Sequence, residues 1–202
     1  MSGERAAGAA EKKKKEVFPV KYSKSVTLRD GMTCVIRSGE AGDAQGVYES
    51  FMRTHGETDY LLSYPEESSM DVEQERKFLE EKEASPNEAE LCALVEGRVV
   101  ATAGIGQVGA RQKVRHRAEF GISVERAYWA LGIGRALTLG CIELAKQAGY
   151  SQLELDVVGE NRRAMALYES VGFREYGRNP RGFRGKNGWQ ELVLMRLELD
   201  GE

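Results

Sequence analysis

The sequence predicts one mixed α/β (α+β) domain built on a single sheet, and three observations predict it. Apolar residues change between a two-residue and a helical period several times along the chain. Two turn pairs, Asp30-Gly31 and Glu96-Gly97, each lie between short apolar runs that read as paired strands. With 202 residues, 41% of them hydrophobic, the chain can bury a core without a disulfide or metal staple.

Residues 1–24 are rich in Ala, Gly, Glu and Lys and are expected to form a charged tail, with the run Lys12–Lys15 read as solvated charge. The domain is expected over 25–202. Val26 and Leu28, the Asp30-Gly31 turn and Met32 to Ile36 read as a hairpin. Asp43 opens a helix to about Thr54, and Asp71 to Glu83 is a second, with Val72, Phe78 and Leu79 inward and Pro86 as its stop. Leu91–Val95 and Arg98–Ala103 form strands around Glu96-Gly97, and Ala118–Val124 a further strand.

The strongest helical stripe is Ile133, Ala136, Leu137, Gly140, Cys141, Leu144, Ala145 and Ala148, ended by Gly149, with Arg135 and Thr138 off it. Gln152 to Val157 alternates as a strand. Asn161 caps a short helix through Ala164, Leu167, Tyr168 and Val171, closed by Gly172, and a last strand spans about Glu191 to Leu199.

Composition excludes several classes. The 29 basic and 32 acidic residues leave a formal charge of −3, which gives no global case for nucleic acid or a membrane surface. Cys34, Cys92 and Cys141 stand far apart with only two histidines, so they read as buried hydrophobes in a reducing compartment, with no metal site. No apolar run approaches the ~18 residues of a membrane span, and Val17 to Val20 is too short for a signal peptide. A cytoplasmic protein is expected.

Two glycine motifs remain. Gly104-Ile105-Gly106-Gln107-Val108-Gly109 has the spacing of a dinucleotide fingerprint, but residues 110–117 carry no apolar stripe for the helix it requires. Gly132-Ile133-Gly134-Arg135-Ala136-Leu137 lies between a strand and the strongest helix, where backbone amides can meet an anion. Close helix–sheet packing explains the same glycines equally well.

Ala118-Glu119-Phe120-Gly121-Ile122-Ser123-Val124, the Gly132 motif, then Asn161, Ala164, Leu167-Tyr168-Glu169 and Gly172-Phe173 together resemble the GCN5-related N-acetyltransferases, the GNAT superfamily. The resemblance extends more weakly from Thr33 to Leu199. It implies a central mixed, mostly antiparallel sheet flanked by about four helices, acetyl-CoA as donor and an amine as acceptor, and at family level a homodimer. Trp129 departs from it, standing where the family usually has Arg or Gln. The resemblance further implies pyrophosphate on the amides of Gly132, Ile133, Gly134, Arg135 and Ala136, pantetheine along Ile122 and Val124, and a cofactor contact from Asn161.

An alkyl ammonium must lose a proton before it can attack a thioester, and Glu119 is the candidate base, or else an exposed strand carboxylate. Tyr168 matches the family's proton donor to the leaving thiolate, or else simply packs. Arg174, Arg178, Arg181, Arg184 and Lys186 read as a solvated hairpin, an acidic-substrate guide or a 3′-phosphate contact, while His55, Tyr60 and Tyr64 are candidate acceptor-pocket residues. Cys141 within the apolar stripe argues against an acyl-cysteine. The competing reading is a non-catalytic acyl-CoA-binding sensor or subunit.

Overall fold

The computed structural model describes residues 19–186 and 188–200. Most of the expected tail, with Lys12–Lys15, lies outside these residues. The first strand, β1 (Ser23–Thr27), begins earlier than expected. Val20 is buried just ahead of it, Tyr22 packs on the core, and the Tyr22 N–H donates to Ser38 Oγ at 3.0 Å.

β1 turns through Gly31, at φ +90°, into β2 (Thr33–Ser38). α1 (Ala44–Glu57) follows a 3-10 turn, and the Asp43 side chain does not cap α1 but accepts from the Glu40 N–H of that turn at 2.9 Å. The same carboxylate accepts two bonds from Arg37, at 2.6 and 2.7 Å, which pins the start of α1 to β2. α2 (Val72–Ala84) has the expected cap: Asp71 accepts from the Gln74 N–H, and Gln74 accepts from the Asp71 N–H.

β3 (Ala89–Val95) and β4 (Arg98–Gln107) join through Glu96 and Gly97, both at positive φ as a type I′ turn requires. β4 runs on through Gly104 and Gly106, which pair with Glu90 and with Glu119 of β5 (Arg117–Val124), so the GxGxxG spacing belongs to a strand. α3 (Ile133–Gln147), β6 (Gln152–Val158) and α4 (Arg162–Ser170) match the expected elements. Thr138 corrects the stripe: it is fully buried, its hydroxyl donating to the Gly134 carbonyl at 2.8 Å.

The chain ends in a long hairpin, β7 (Arg174–Gly185) and β8 (Gly188–Glu198). β7 is absent from the predicted order because its arginines, glycines and Pro180 hide any two-residue period. It is the sheet edge, and Pro180 sits in the irregular stretch between Asn179 and Phe183, where a missing N–H costs no ladder bond.

The eight strands form one sheet in the order β1-β2-β3-β4-β5-β6-β8-β7, antiparallel except for β5 with β6. Its two faces are told apart by alternation along β3. Leu91, Ala93 and Val95 join the large core with Ile133, Leu137, Cys141 and Leu144 of α3, while Cys92 joins Ala44, Val47 and Leu79 under α1 and α2. α3 and α4 therefore cover one face and α1 and α2 the other.

Candidate functional site

The one parallel pair in the sheet is also its shortest. β5 and β6 are in register only at Arg117 with Gln152, Ala118 with Leu153 and Glu119 with Glu154. Beyond Glu119 the strands part. β5 stays paired with β4 as far as Val124, and β6 with β8 as far as Val158. The sheet thus opens into a wedge at its centre, and the β5 edge from Phe120 onward is left without a strand partner. Such an edge is an acceptor for an extended ligand carrying amides of its own.

α3 starts at the open end of this wedge. A turn over Arg126–Tyr128 leaves β5, and the loop Trp129 to Gly132 follows. Two residues of that loop have positive φ, Ala130 at +65° and Gly132 at +109°. Arg29 in the β1–β2 turn holds the loop, its Nη1 donating to the Ala130 carbonyl and its N–H to the Leu131 carbonyl, each at 3.1 Å. Gly132 is the N-cap residue, and no side chain caps α3. The contrast with α2 and α4 is direct: Asp71 and Asn161 each satisfy an opening N–H there, Asn161 by accepting from Ala164 at 3.2 Å.

The glycines of α3 have separable reasons. Gly132 is set by its left-handed backbone. Gly140 is set by packing, since an added Cβ would lie 2.9 Å from Leu91 Cδ1 and 3.1 Å from Tyr22 Cζ. Gly134 needs neither, because a Cβ there would make ordinary contact with Leu167 at 3.4 Å. Arg135 is exposed and donates to Ser170 Oγ at 2.7 Å, tying α3 to α4, while Ile133 is fully buried and Ala136 partly so. Ile122 and Val124 lean on the α3-side core, and the Val124 carbonyl already accepts from Trp129 Nε1 at 2.7 Å.

Tyr168 projects from α4 onto Phe120, edge to face with ring centroids 6.0 Å apart, and onto Phe173 at 5.9 Å. It is buried, and that burial pushes its phenol above the ordinary tyrosine value, so it is a neutral O–H donor at physiological pH. Packing and proton donation, open alternatives in the sequence, are compatible in this geometry.

Glu119 alternates with Ala118 and Phe120, so it stands on the opposite, α1–α2 face, exposed at the apex of the wedge. Its neighbour across β6, Glu154, is tied to Arg117, whose guanidinium holds that carboxyl below the usual range. One residue escaped the sequence reading. Asp156 lies two positions further along β6 on the face that carries Glu119, and burial together with the Glu154 charge raises its pKa. Alternation along β6 marked that position as outward; the parting of the strands brings it to the wedge.

Other candidates are accounted for structurally. Cys141 is fully buried and its thiol is pushed well above the ordinary value, which leaves no thiolate nucleophile. His55 Nδ1 lies 2.9 Å from the Phe51 carbonyl, the ring stacks on Phe51 at 3.8 Å, and burial lowers its pKa. In the basic hairpin, Arg178 is paired with Glu175 and Glu191, Arg181 and Arg184 lie over Trp189, and Lys186 lies over Tyr64. Tyr60 is exposed. Among the described residues no group of three potential metal ligands occurs, and no helix is long and apolar enough to cross a membrane.

Comparison with known proteins fits this geometry. The sequence profile of the acetyltransferase (GNAT) family matches residues 45–173, well over half the chain. The chain belongs to the GNAT family. The segment matched includes the wedge, the uncapped start of α3 and Tyr168. Over 80 residues, 40% of this chain, it is 34% identical to the [ribosomal protein bS18]-alanine N-acetyltransferase of Escherichia coli K12, a match that spans 54% of that relative. Over 101 residues, half of this chain, it is 34% identical to an N-alpha-acetyltransferase of Mycobacterium tuberculosis, 61% of which is covered. The chain thus spans little more than half the length of these curated relatives. A GNAT acetyltransferase structure from Streptococcus pneumoniae superposes with a TM-score of 0.79 at 27% identity, covering 83% of this chain and 99% of that one. A Salmonella typhimurium structure solved with its cofactor acetyl-CoA shares the fold, with a TM-score of 0.75 at 21% identity over 84% and 95% of the two chains.

Proposed function

We propose that this GNAT protein transfers the acetyl group of acetyl-CoA to a primary amine of a small molecule, amino acid or polypeptide, directly within a ternary complex. The observation that carries this reading is the wedge: β5 parts from β6 at Glu119 beside a helix start that no side chain caps. Acetyl-CoA supplies an activated thioester. The residues around the wedge supply the rest.

Amides of Gly132 to Arg135 receive the pyrophosphate at the positive end of α3, the expected Ala136 N–H being already bonded to the Gly132 carbonyl at 3.1 Å, and Gly134 without a Cβ lets it approach. The free edge of β5 around Ile122 and Val124 takes the pantetheine amides as another strand would, and Asn161, which caps α4 just beyond the end of β6, adds a contact to the donor. An N–H of that edge stabilises the negative charge that develops on the acyl oxygen. Glu119 accepts the ammonium proton from the α1–α2 side, directly or through one water. Tyr168 delivers its phenol proton to the departing thiolate from the α4 side. The two proton-handling groups stand on opposite faces of the sheet, so acceptor and leaving group approach from opposite sides.

Asp156 is the second reading for the base. It shares the face of Glu119, and its raised pKa suits proton acceptance better than an ordinary aspartate.

Thiol release from acetyl-CoA over a panel of small amines, amino acids and peptides tests the proposal. Tyr168→Phe is expected to lower kcat about 10²-fold or more with KM for acetyl-CoA little changed. Of Glu119→Gln and Asp156→Asn, the variant that loses about 10²-fold and flattens the acid limb of the pH profile identifies the base. Full activity in all three variants would overturn the assignment of roles. Tight binding of acetyl-CoA with no turnover across the panel would favour the sensor or subunit.

A further inference from the structure

The loop that leads into α3 carries a cluster that the proposed transfer does not use. Trp129 is anchored to the end of β5 by its bond to the Val124 carbonyl. Two guanidiniums lie over its ring, Arg126 at 5.9 Å and Arg163 at 5.5 Å from the centroid. Arg126 comes from the turn just after β5, but Arg163 comes from the first turn of α4, beyond β6. The contact between Arg163 and Trp129 therefore bridges the two banks of the wedge at its open end.

One carboxylate stands at this cluster, Glu57, whose Oε2 accepts from the Arg126 backbone N–H at 2.7 Å and pairs with neither guanidinium. Among the described residues neither Arg126 nor Arg163 belongs to an ion pair, whereas Arg37, Arg98, Arg117 and Arg178 each do. Cation–π contact fixes a guanidinium over an indole without neutralising it. Two positive groups on one ring repel each other, and a multivalent anion between or beside them turns that repulsion into attraction. A phosphate monoester is the matching chemistry, since its dianion accepts paired N–H donors from a guanidinium fork.

We infer that Arg163 and Arg126, held ready by Trp129, bind the 3′-phosphate of the acyl donor and give the protein its preference for the phosphorylated nucleotide. This rests on the donor site proposed above. The pyrophosphate has the α3 amides, which leaves the 3′-phosphate as the strongly charged group still in need of a partner at the open end of the wedge. The basic hairpin also holds two guanidiniums over an indole, Arg181 and Arg184 on Trp189, but it stands at the far edge of the sheet, with β6 and β8 between β7 and the β5 edge, whereas Arg126 and Arg163 flank the wedge itself. Trp129 is a positioning residue: it sets where the guanidiniums stand and leaves the phosphate to them.

Calorimetric titration with CoA and with 3′-dephospho-CoA tests this directly, because the two ligands differ by one phosphate. The wild-type protein is expected to bind CoA at least 10-fold more tightly at low salt, with the preference shrinking as salt rises. Arg163→Ala should abolish most of that preference while leaving the dephospho-CoA affinity within about twofold, and Arg126→Ala should reduce it in the same way by a smaller factor. Trp129→Phe should keep most of the preference and Trp129→Ala should lose it. Equal affinities for the two ligands in the wild type would overturn the inference, as would an Arg163→Ala variant that weakens both ligands alike. Absence of binding of both CoA and dephospho-CoA to the wild type would instead count against the donor site itself, so the two failures are distinguishable.

Discussion

On the α3–α4 face of the sheet, Ile133, Leu137, Cys141 and Leu144 are completely buried against Leu91, Ala93, Ala103 and Ile105, and the contact continues to Phe120, Tyr168 and Phe173. On the α1–α2 face the buried apolar cluster consists of Ala44, Val47, Leu79, Cys92 and Val99, and much of the remaining interior is charged. Glu125 is buried beneath a two-bond pair with Arg98, at 2.7 and 2.8 Å, with Arg53 of α1 at 3.5 Å. Arg37 holds Asp43, and Glu75 and Glu90 lie between α2 and the sheet. The elements proposed to hold the donor thus rest on contacts indifferent to pH and salt. The face from which an acceptor amine would arrive depends on ionised groups, and the loop between α1 and α2 exposes Tyr60, Leu62 and Met70 there.

The comparison is broken most strongly at Leu144. Leu144→Ala removes a side chain with no solvent exposure from the larger core, and a loss of about 3–4 kcal/mol is expected in urea unfolding, constant from pH 5 to 8. The opposite face should answer to pH instead. Glu90 lies flat over Gly104, where an added Cβ would come within 2.2 Å of its Oε2, and burial pushes its pKa up to about 7, opposed by a hydrogen bond with Thr102 and reinforced by the charge of Glu75. A carboxyl raised in the folded state stabilises the protein fully below its unfolded value, near 4.5, and that contribution is lost as pH rises towards 7. Glu90→Gln should therefore match the wild type near pH 4.5 and exceed it by about 3 kcal/mol at pH 8, a difference read by unfolding at both pH values. A wild-type advantage at pH 8 would show that Glu90 is ionised at no cost.

The smallest effect sharpens the comparison with two glycines in helices. Gly140→Ala in α3 drives a methyl into Leu91 and the Tyr22 ring and should lose about 1–2 kcal/mol in spite of its better helix propensity. Gly46→Ala in α1 meets Val99 Cγ2 at 3.1 Å, in the sparser core, and should fall within about 0.5 kcal/mol of the wild type. Equal losses at the two positions would mean that the faces are packed alike.

Parts of the candidate site were legible in the sequence because they are local. The Asn161 cap, the left-handed Gly132 and the stripe of α3 are each set by contacts within about four residues, and such contacts leave their mark on sequence spacing. β7 was legible only as an arm of a solvated hairpin, without strand bounds, because an edge strand rich in arginine, with Pro180 in an irregular stretch, obeys the rules of solvent and not of a two-faced sheet. Asp156 was missed for a different reason. Alternation puts it on an outward face whatever its neighbours do, and its importance depends on where β5 stops pairing with β6.

The sequence by itself determined the order of elements, the turns at Gly31 and Glu96-Gly97, the helix that starts on a glycine, and the family whose residues surround that glycine. Periodicity and backbone conformation are properties of neighbouring residues, so they survive without the fold. The tertiary structure alone decided that β5 and β6 part after three paired positions, that Glu119 and Tyr168 stand on opposite faces, and that Arg163 crosses the wedge to Trp129. Those facts join residues about 35 to 50 positions apart, and only the packing of α3 and α4 against one shared sheet brings them together.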